Sequence, residues 1–298
     1  MRAVPTIIDL LAGLACLAGS AVQAAPPAPA RAAPTDSLGH APAPTTARAT
    51  TSALGYADLV DLIEPAPLVL AVQVRKVAQV EPERAKDVRK GWARIYVEAR
   101  GLLALRGAMP SSQTLSYLAD LPLGARGRLP DLAKRTVLLV ARPVPGHAEM
   151  VQLVAPDAQL PWDSAFEARV RAVLAALQAP DAPARVSGVR EASFVPGALV
   201  GEGETQIFLA TADGSPAAIS VVHQPGKPPT WSASFSEVVD ASGQPPARDT
   251  LAWYRLACFL PPDLPASSNV SASATDKAQA VADYKVVLAE LGPCARTR

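Results

Sequence analysis

Residues 68–80, LVLAVQVRKVAQV, and residues 92–105, WARIYVEARGLLAL, decide the fold. In the first, Val72 and Val74 alternate with polar neighbours into Val77. In the second, Ile95, Val97 and Ala99 stand opposed to Arg94, Tyr96, Glu98 and Arg100. A period of two sends successive side chains to opposite faces of a strand, so each stretch has one face to bury and one to wet. The charged run between them, through Arg89-Lys90-Gly91, turns the chain, and the pair predicts a long hairpin. Upstream, residues 56–63 (YADLVDLI) have helical spacing, with Leu59, Leu62 and Ile63 on one side and Pro65 and Pro67 as terminators. Downstream, residues 113–118, 136–142 (TVLLVAR) and 150–155 read as three further strands, with Pro143-Val144-Pro145-Gly146 turning the chain between the last two. Five strands with few helices predict a small closed barrel over residues 54–160.

A lead helix, a long first hairpin, the sequence Leu105-Arg106-Gly107 with Pro110 after the second strand, and KRTVLLVARPV opening the fourth together carry a resemblance. This part of the chain, about a third of it, resembles the OB-type barrels of exported bacterial proteins, similar to the tissue-inhibitor-of-metalloproteinase fold. That inhibitor family reaches its target's zinc through an N-terminal cysteine. Residues 54–160 contain no cysteine, so protease inhibition is not carried over.

Pro161-Trp162-Asp163-Ser164 opens a helix whose Phe166, Val170, Val173, Leu174 and Leu177 form one apolar stripe, and Pro180 and Pro183 end it. Residues 161–180 are expected to bridge two domains, the second spanning residues 181–298. There, residues 190–199, 205–210, 217–223 and 230–236 read as antiparallel strands joined by Asp213-Gly214 and Pro225-Gly226 turns. Helices over 249–259 and 275–291 close the domain, the last with Ala280, Val281, Tyr284, Val287, Leu288 and Leu291 in one stripe. The expected fold class is a β-rich α+β chain: an N-terminal five-stranded OB-like barrel, a bridging helix, and a C-terminal antiparallel sheet with two helices.

The N-terminus states an address. Arg2 precedes an apolar run from Ile7 to Ala18, and Val22-Gln23-Ala24 is a small-x-small site, so residues 1–24 read as an export signal cleaved after Ala24. Asp9 within the run and a single preceding arginine make the signal imperfect. The run is too short for a permanent span, which takes roughly 20 apolar residues. Gly13-Leu14-Ala15 before Cys16 has the lipoprotein box's Leu and small residue in reversed places, so lipidation is not expected. Residues 25–53, rich in Ala, Pro and Thr, have almost nothing to bury and read as a disordered spacer. The expected location is outside the cytoplasm, periplasmic or secreted.

Twenty-eight Lys and Arg balance 27 Asp and Glu, so no global field recruits nucleic acid or an anionic membrane. The charge is unevenly spread: residues 54–160 are rich in arginine and lysine and the stretch after Asp181 in acids, so the two halves should attract. After cleavage Cys258 and Cys294 remain. An even pair in an oxidising compartment reads as a structural disulfide, with two separate buried thiols as the alternative.

No catalytic, metal or cofactor site is expected. His147 and His223 are the histidines of the folded part, and HExxH, GxSxG and phosphate-cradling glycine loops are missing from the sequence. Gly201-Glu202-Gly203-Glu204 reads as a hairpin loop, or as part of an oxygen shell for a cation. In residues 231–236, Trp231, Ala233 and Phe235 should be buried and three serines solvated. Asn269-Val270-Ser271 spells a glycosylation sequon, here a coincidence of sequence. The candidate ligand surface is Arg89, Lys90, Trp92, Arg94 and Tyr96, because OB barrels bind ligands on the face of strands 2 and 3 and the flanking loops, and aromatics beside arginines make a stacking platform. The expected function is a non-enzymatic binding or envelope-associated protein, its partner another protein or an anionic envelope polymer. The competing expectation is a hydrolase built from scattered Asp, Glu and His, marked by a deep pocket lined by two carboxylates or by His223 and an acid.

Overall fold

The computed structural model describes residues 54–110, 112–236 and 243–298; the readings of an export signal, its cleavage and a spacer fall on residues 1–53, outside the described residues. Helix α1 (Tyr56–Ile63) leads into β1 (Leu68–Gln79), β2 (Trp92–Arg106), β3 (Thr114–Pro122), β4 (Thr136–Val144) and β5 (His147–Leu153). These strands pair in the ring β1-β2-β3-β5-β4-β1, antiparallel except where β3 meets β5 at Ser116 and Met150. This is the closed five-stranded Greek-key barrel of the OB type.

Closure follows from the strands' own irregularities. Strand β1 must pair with both β2 and β4, and its register on β2 slips at Val69/Leu70, Ala71/Val72 and Val74/Lys76. Each slip bends and twists the ribbon, which a ring this small requires. On β2, Gly101 has no side chain, and a Cβ there would sit 2.1 Å from the Met109 sulfur, so the strand and the loop after it can lie against each other. Alternation does the rest: Ile95, Val97, Ala99, Leu115 and Tyr117 fill the interior, and Tyr117 donates its hydroxyl to Gln159 at 2.7 Å. Arg106, at the end of β2, donates to the carbonyls of Ile63 and Ala66 at 2.7 and 3.2 Å, satisfying groups that the end of α1 leaves open.

A short strand β6 (Gln159–Pro161) adds to β4. It was not anticipated, because three residues carry no period. Strand β5 starts three residues earlier than expected, because Pro145-Gly146 turns so tightly that Val144 and His147 already face each other. Helix α2 (Ser164–Gln178) follows, its N-cap Asp163 accepting from the amide of Phe166 at 2.8 Å.

The second sheet has the order β10-β9-β8-β7, all antiparallel: β7 (Val186–Pro196), β8 (Gly203–Thr211), β9 (Ala218–His223) and β10 (Thr230–Ser234). Strand β7 begins before the expected residue 190 because two register slips, at Val186/Gly188 and Val189/Glu191, scramble its alternation. Helices α3 (Leu251–Ala257) and α4 (Ala274–Leu291) complete the fold, α4 opening on a reciprocal Ser273–Asp276 capping box and packing on β7 and β8.

The described residues from Leu54 to Arg298 belong to one compact unit. Barrel and second sheet meet through a helical seam in which α1 packs on α2 and α2 on α3. Charge pairing there runs opposite to the expected attraction between a basic and an acidic half. Arg255 and Arg185 from the C-terminal half pair with Glu64, Arg296 with Asp61 and Arg298 with Asp157. Net charge over a hundred residues does not decide which few side chains meet at a boundary. Cys258 and Cys294 are disulfide-bonded, with Cα atoms 5.0 Å apart, and the bridge anchors the tail that carries Arg296 and Arg298 across α1.

Candidate binding face

The expected ligand surface lies on the outer face of β2, but most of its cations are already engaged. Arg94 forms a two-sided clamp: Nε and Nη2 donate to Asp120 at 2.7 and 2.9 Å, and Nη1 and Nη2 to Asp87 at 2.9 and 3.0 Å. Donating to the Asp120 and Asp87 carboxylates raises the pKa of the Arg94 guanidinium above its already high value, and Asp87 is held below the usual carboxylate range by the same arginine. Arg89 stacks over Trp92 with its guanidinium carbon 4.1 Å from the ring centre, and donates to Asp157 at 3.0 Å. Trp92 is therefore covered by its own arginine. Lys90 is exposed in the loop.

What the face leaves open is apolar. Tyr96 is 36 % exposed and stands directly across from Leu118 on β3, which is 50 % exposed. Met150 on β5, 41 % exposed, lies across from Ser116, two residues before Leu118 on the same outward side. Tyr96, Leu118 and Met150 thus form a strip over β2, β3 and β5. Sequence reasoning found Tyr96 and missed the other two, because the single β3–β5 bridge that brings Met150 alongside joins strands that are not consecutive in the chain. The alternation of Leu118 with buried Tyr117 and Ala119 was the available signal.

Other candidates resolve into structure. Asp58 and Asp61 line a cavity of about 290 Å³ together with Leu62, Val154, Arg296 and Arg298. Both carboxylates are used: Asp58 accepts from the Thr297 amide and hydroxyl at 3.0 and 2.6 Å, Asp61 from Tyr254 and from Arg296 at 2.5 and 2.7 Å. Burial raises the Asp61 carboxyl, but Arg296 and the Tyr254 hydroxyl outweigh it and hold the group below the usual range. A general acid needs the opposite shift. His223 Nε2 lies 2.9 Å from Asp283, a buried carboxylate that also accepts from Thr205 and, at 2.9 Å, from Gln279. Phe194 meets the imidazole edge-on. No hydroxyl or thiol is hydrogen-bonded to His223 among the described residues. His147 opens β5 in an exposed position.

The expected acidic loop ends at Glu202, which accepts from the Leu199 amide at 3.2 Å; Gly203 and Glu204 already belong to β8, where Glu204 accepts from Ser220 and Gln206. Among the described residues no group of three or more His, Cys, Asp or Glu is placed to hold a metal ion. The expectation of a solvated serine face needs correction: Ser232 is 3 % exposed, next in register to the equally buried Ser220. Strand alternation separates the two faces of a sheet but does not say which face stays wet. Asn269 is buried, with Nδ2 donating to the Lys277 carbonyl at 3.0 Å, so the sequon asparagine serves as a structural tie at the start of α4.

Comparison with known proteins finds no match among protein-family models or curated proteins.

Proposed function

We propose that this chain is an exported, non-enzymatic binding module, periplasmic or secreted, that docks another protein on the β2–β3–β5 face of its barrel. The observation that carries the reading is the exposed strip of Tyr96, Leu118 and Met150. Contiguous apolar side chains on a folded surface have a solvation cost that docking relieves. An anionic polymer is the weaker partner, since Arg89 and Arg94, the cations beside the strip, are neutralised by Asp157, Asp87 and Asp120. Export is supported by the apolar run after Arg2 and the Val22-Gln23-Ala24 site.

The test is site-specific photocrosslinking in the exported compartment. A crosslinker in place of Leu118 should trap one defined protein. The same group in place of exposed Arg128 should not, and Tyr96→Ser should abolish capture. Equal capture from both positions would overturn the reading. A hydrolase is the second reading, favoured by the His223–Asp283 pair. Turnover of an ester, peptide or glycoside substrate that disappears in His223→Ala would establish it at the expense of the first.

A further inference from the structure

We propose that the barrel carries an oxyanion site at the opposite end of this outer face: a cleft of about 340 Å³ in which Arg75, Arg100 and the segment Ser112 to Thr114 receive a phosphate- or sulfate-type group. The register of β1 on β2 slips between Val74 and Lys76, leaving Arg75 as the additional residue of a bulge. Bulges re-aim side chains. Arg100 stands on β2 between Gln73 of β1 and Thr114 of β3, so arginines from two neighbouring strands line one hollow.

Neither arginine takes an ion pair or a side-chain hydrogen bond among the described residues, in contrast to Arg94 with its two carboxylates. The one carboxylate in the lining, Glu98, is engaged by Lys76 at 3.3 Å. The backbone beside the bulge is held from its other side: the amide of Lys134 donates to the Val74 carbonyl at 3.2 Å, and the Arg135 carbonyl accepts from the Val74 amide at 2.9 Å. The far lip is Ser112 to Thr114. Gln113 has a left-handed φ of 55°, its carbonyl accepts from the Gly101 amide at 2.7 Å, and the Ser112 hydroxyl bridges the amide and carbonyl of Thr114.

Two like charges facing one hollow repel, and a doubly charged anion between them converts that repulsion into attraction. Guanidinium forks match the oxygens of a tetrahedral oxyanion, with two hydrogen bonds from each arginine. A monocarboxylate brings one negative charge instead of two and so offsets less of that repulsion. The inference stands whether or not the apolar strip docks a protein, because the residues are different.

Titration calorimetry on the full chain tests it, with inorganic phosphate, sulfate, glycerol phosphate and acetate as probes. Phosphate and sulfate should bind saturably, acetate at least about tenfold more weakly, and Arg75→Gln and Arg100→Gln should each weaken phosphate about tenfold. Both arginines are exposed, so the variants should melt with the parent protein. Tighter binding of glycerol phosphate than of phosphate assigns the group to an esterified lipid or saccharide; equal binding assigns it to the free anion. The proposal is overturned if phosphate does not saturate in the millimolar range. It is equally overturned if Arg142→Gln, a change outside the cleft, weakens binding as much as Arg75→Gln.

Discussion

Charged side chains crowd both the helical seam and the outer face of the barrel, but they do different work in the two places. In the seam, Glu64 lies between Arg255 and Arg185, Asp61 between Tyr254 and Arg296, and Asp58 beneath Thr297, so each of these α1-side carboxylates has hydrogen-bond donors and two of them have arginines. On the barrel, Arg94 is matched in the same way, whereas Arg75 and Arg100 are left open beside a cleft and Tyr96 and Leu118 face solvent. A charge is open to a ligand only where the fold has not already given it a partner. Burial without a partner costs several kcal/mol, so the seam cannot leave a charge open, and the exposed face can.

The largest effect on stability is expected from releasing the tail that completes the seam. Reducing the Cys258–Cys294 bridge, which closes a loop with a sequence separation of 36 residues, should cost up to about 3 to 4 kcal/mol by loop-closure entropy. Thermal unfolding with and without reductant measures it, and an unchanged melting temperature would show that the tail holds without the bridge. Next in size, Arg255→Ala should cost about 3 kcal/mol, because it leaves Glu64 half-buried with Arg185 as its remaining partner. Denaturant unfolding reads this directly.

The seam should also respond to acid. Burial raises the Glu64 and Asp61 carboxyls, but the hydrogen-bonded arginines prevail and hold both below their ordinary values of 4.5 and 3.8. A carboxylate with a depressed pKa in the fold contributes stability that is complete above its ordinary pKa and is lost as pH falls through the folded value. Melting temperatures should therefore hold above about pH 5 and drop progressively below 4.5, and the drop should be shallower in Arg255→Ala. The smallest effect on stability belongs to the outer face. Leu118→Ser and Tyr96→Ser should each shift unfolding by no more than about 0.5 kcal/mol while removing partner capture. A large loss of stability would mean that the strip packs within the chain.

Much of the architecture was legible in the residues. The alternation of Ile95, Val97 and Ala99 against Arg94, Tyr96 and Glu98 marks β2 with its inside and outside assigned, and the spacing in YADLVDLI marks α1 to the residue. Less was legible at the candidate site. Arg94 and Arg89 had the chemistry of ligand binders, and nothing near them in sequence announced Asp120 and Asp157 as their partners. Strand β6 and the first residues of β7 were hidden because short or bulged segments lose the period on which such a reading depends.

Period and turn chemistry act over a few neighbouring residues, so the residues alone specify most local elements, the two faces of β2 and the five-stranded character of the barrel. The tertiary structure alone decided which charges are spent, which apolar side chains stay outside and where a bulge aims an arginine. Those outcomes rest on pairings between residues far apart in the chain, such as Arg94 with Asp120, Glu64 with Arg255 and Ser116 with Met150. Such contacts exist only after the strands have closed into a ring and the helices have packed beside it.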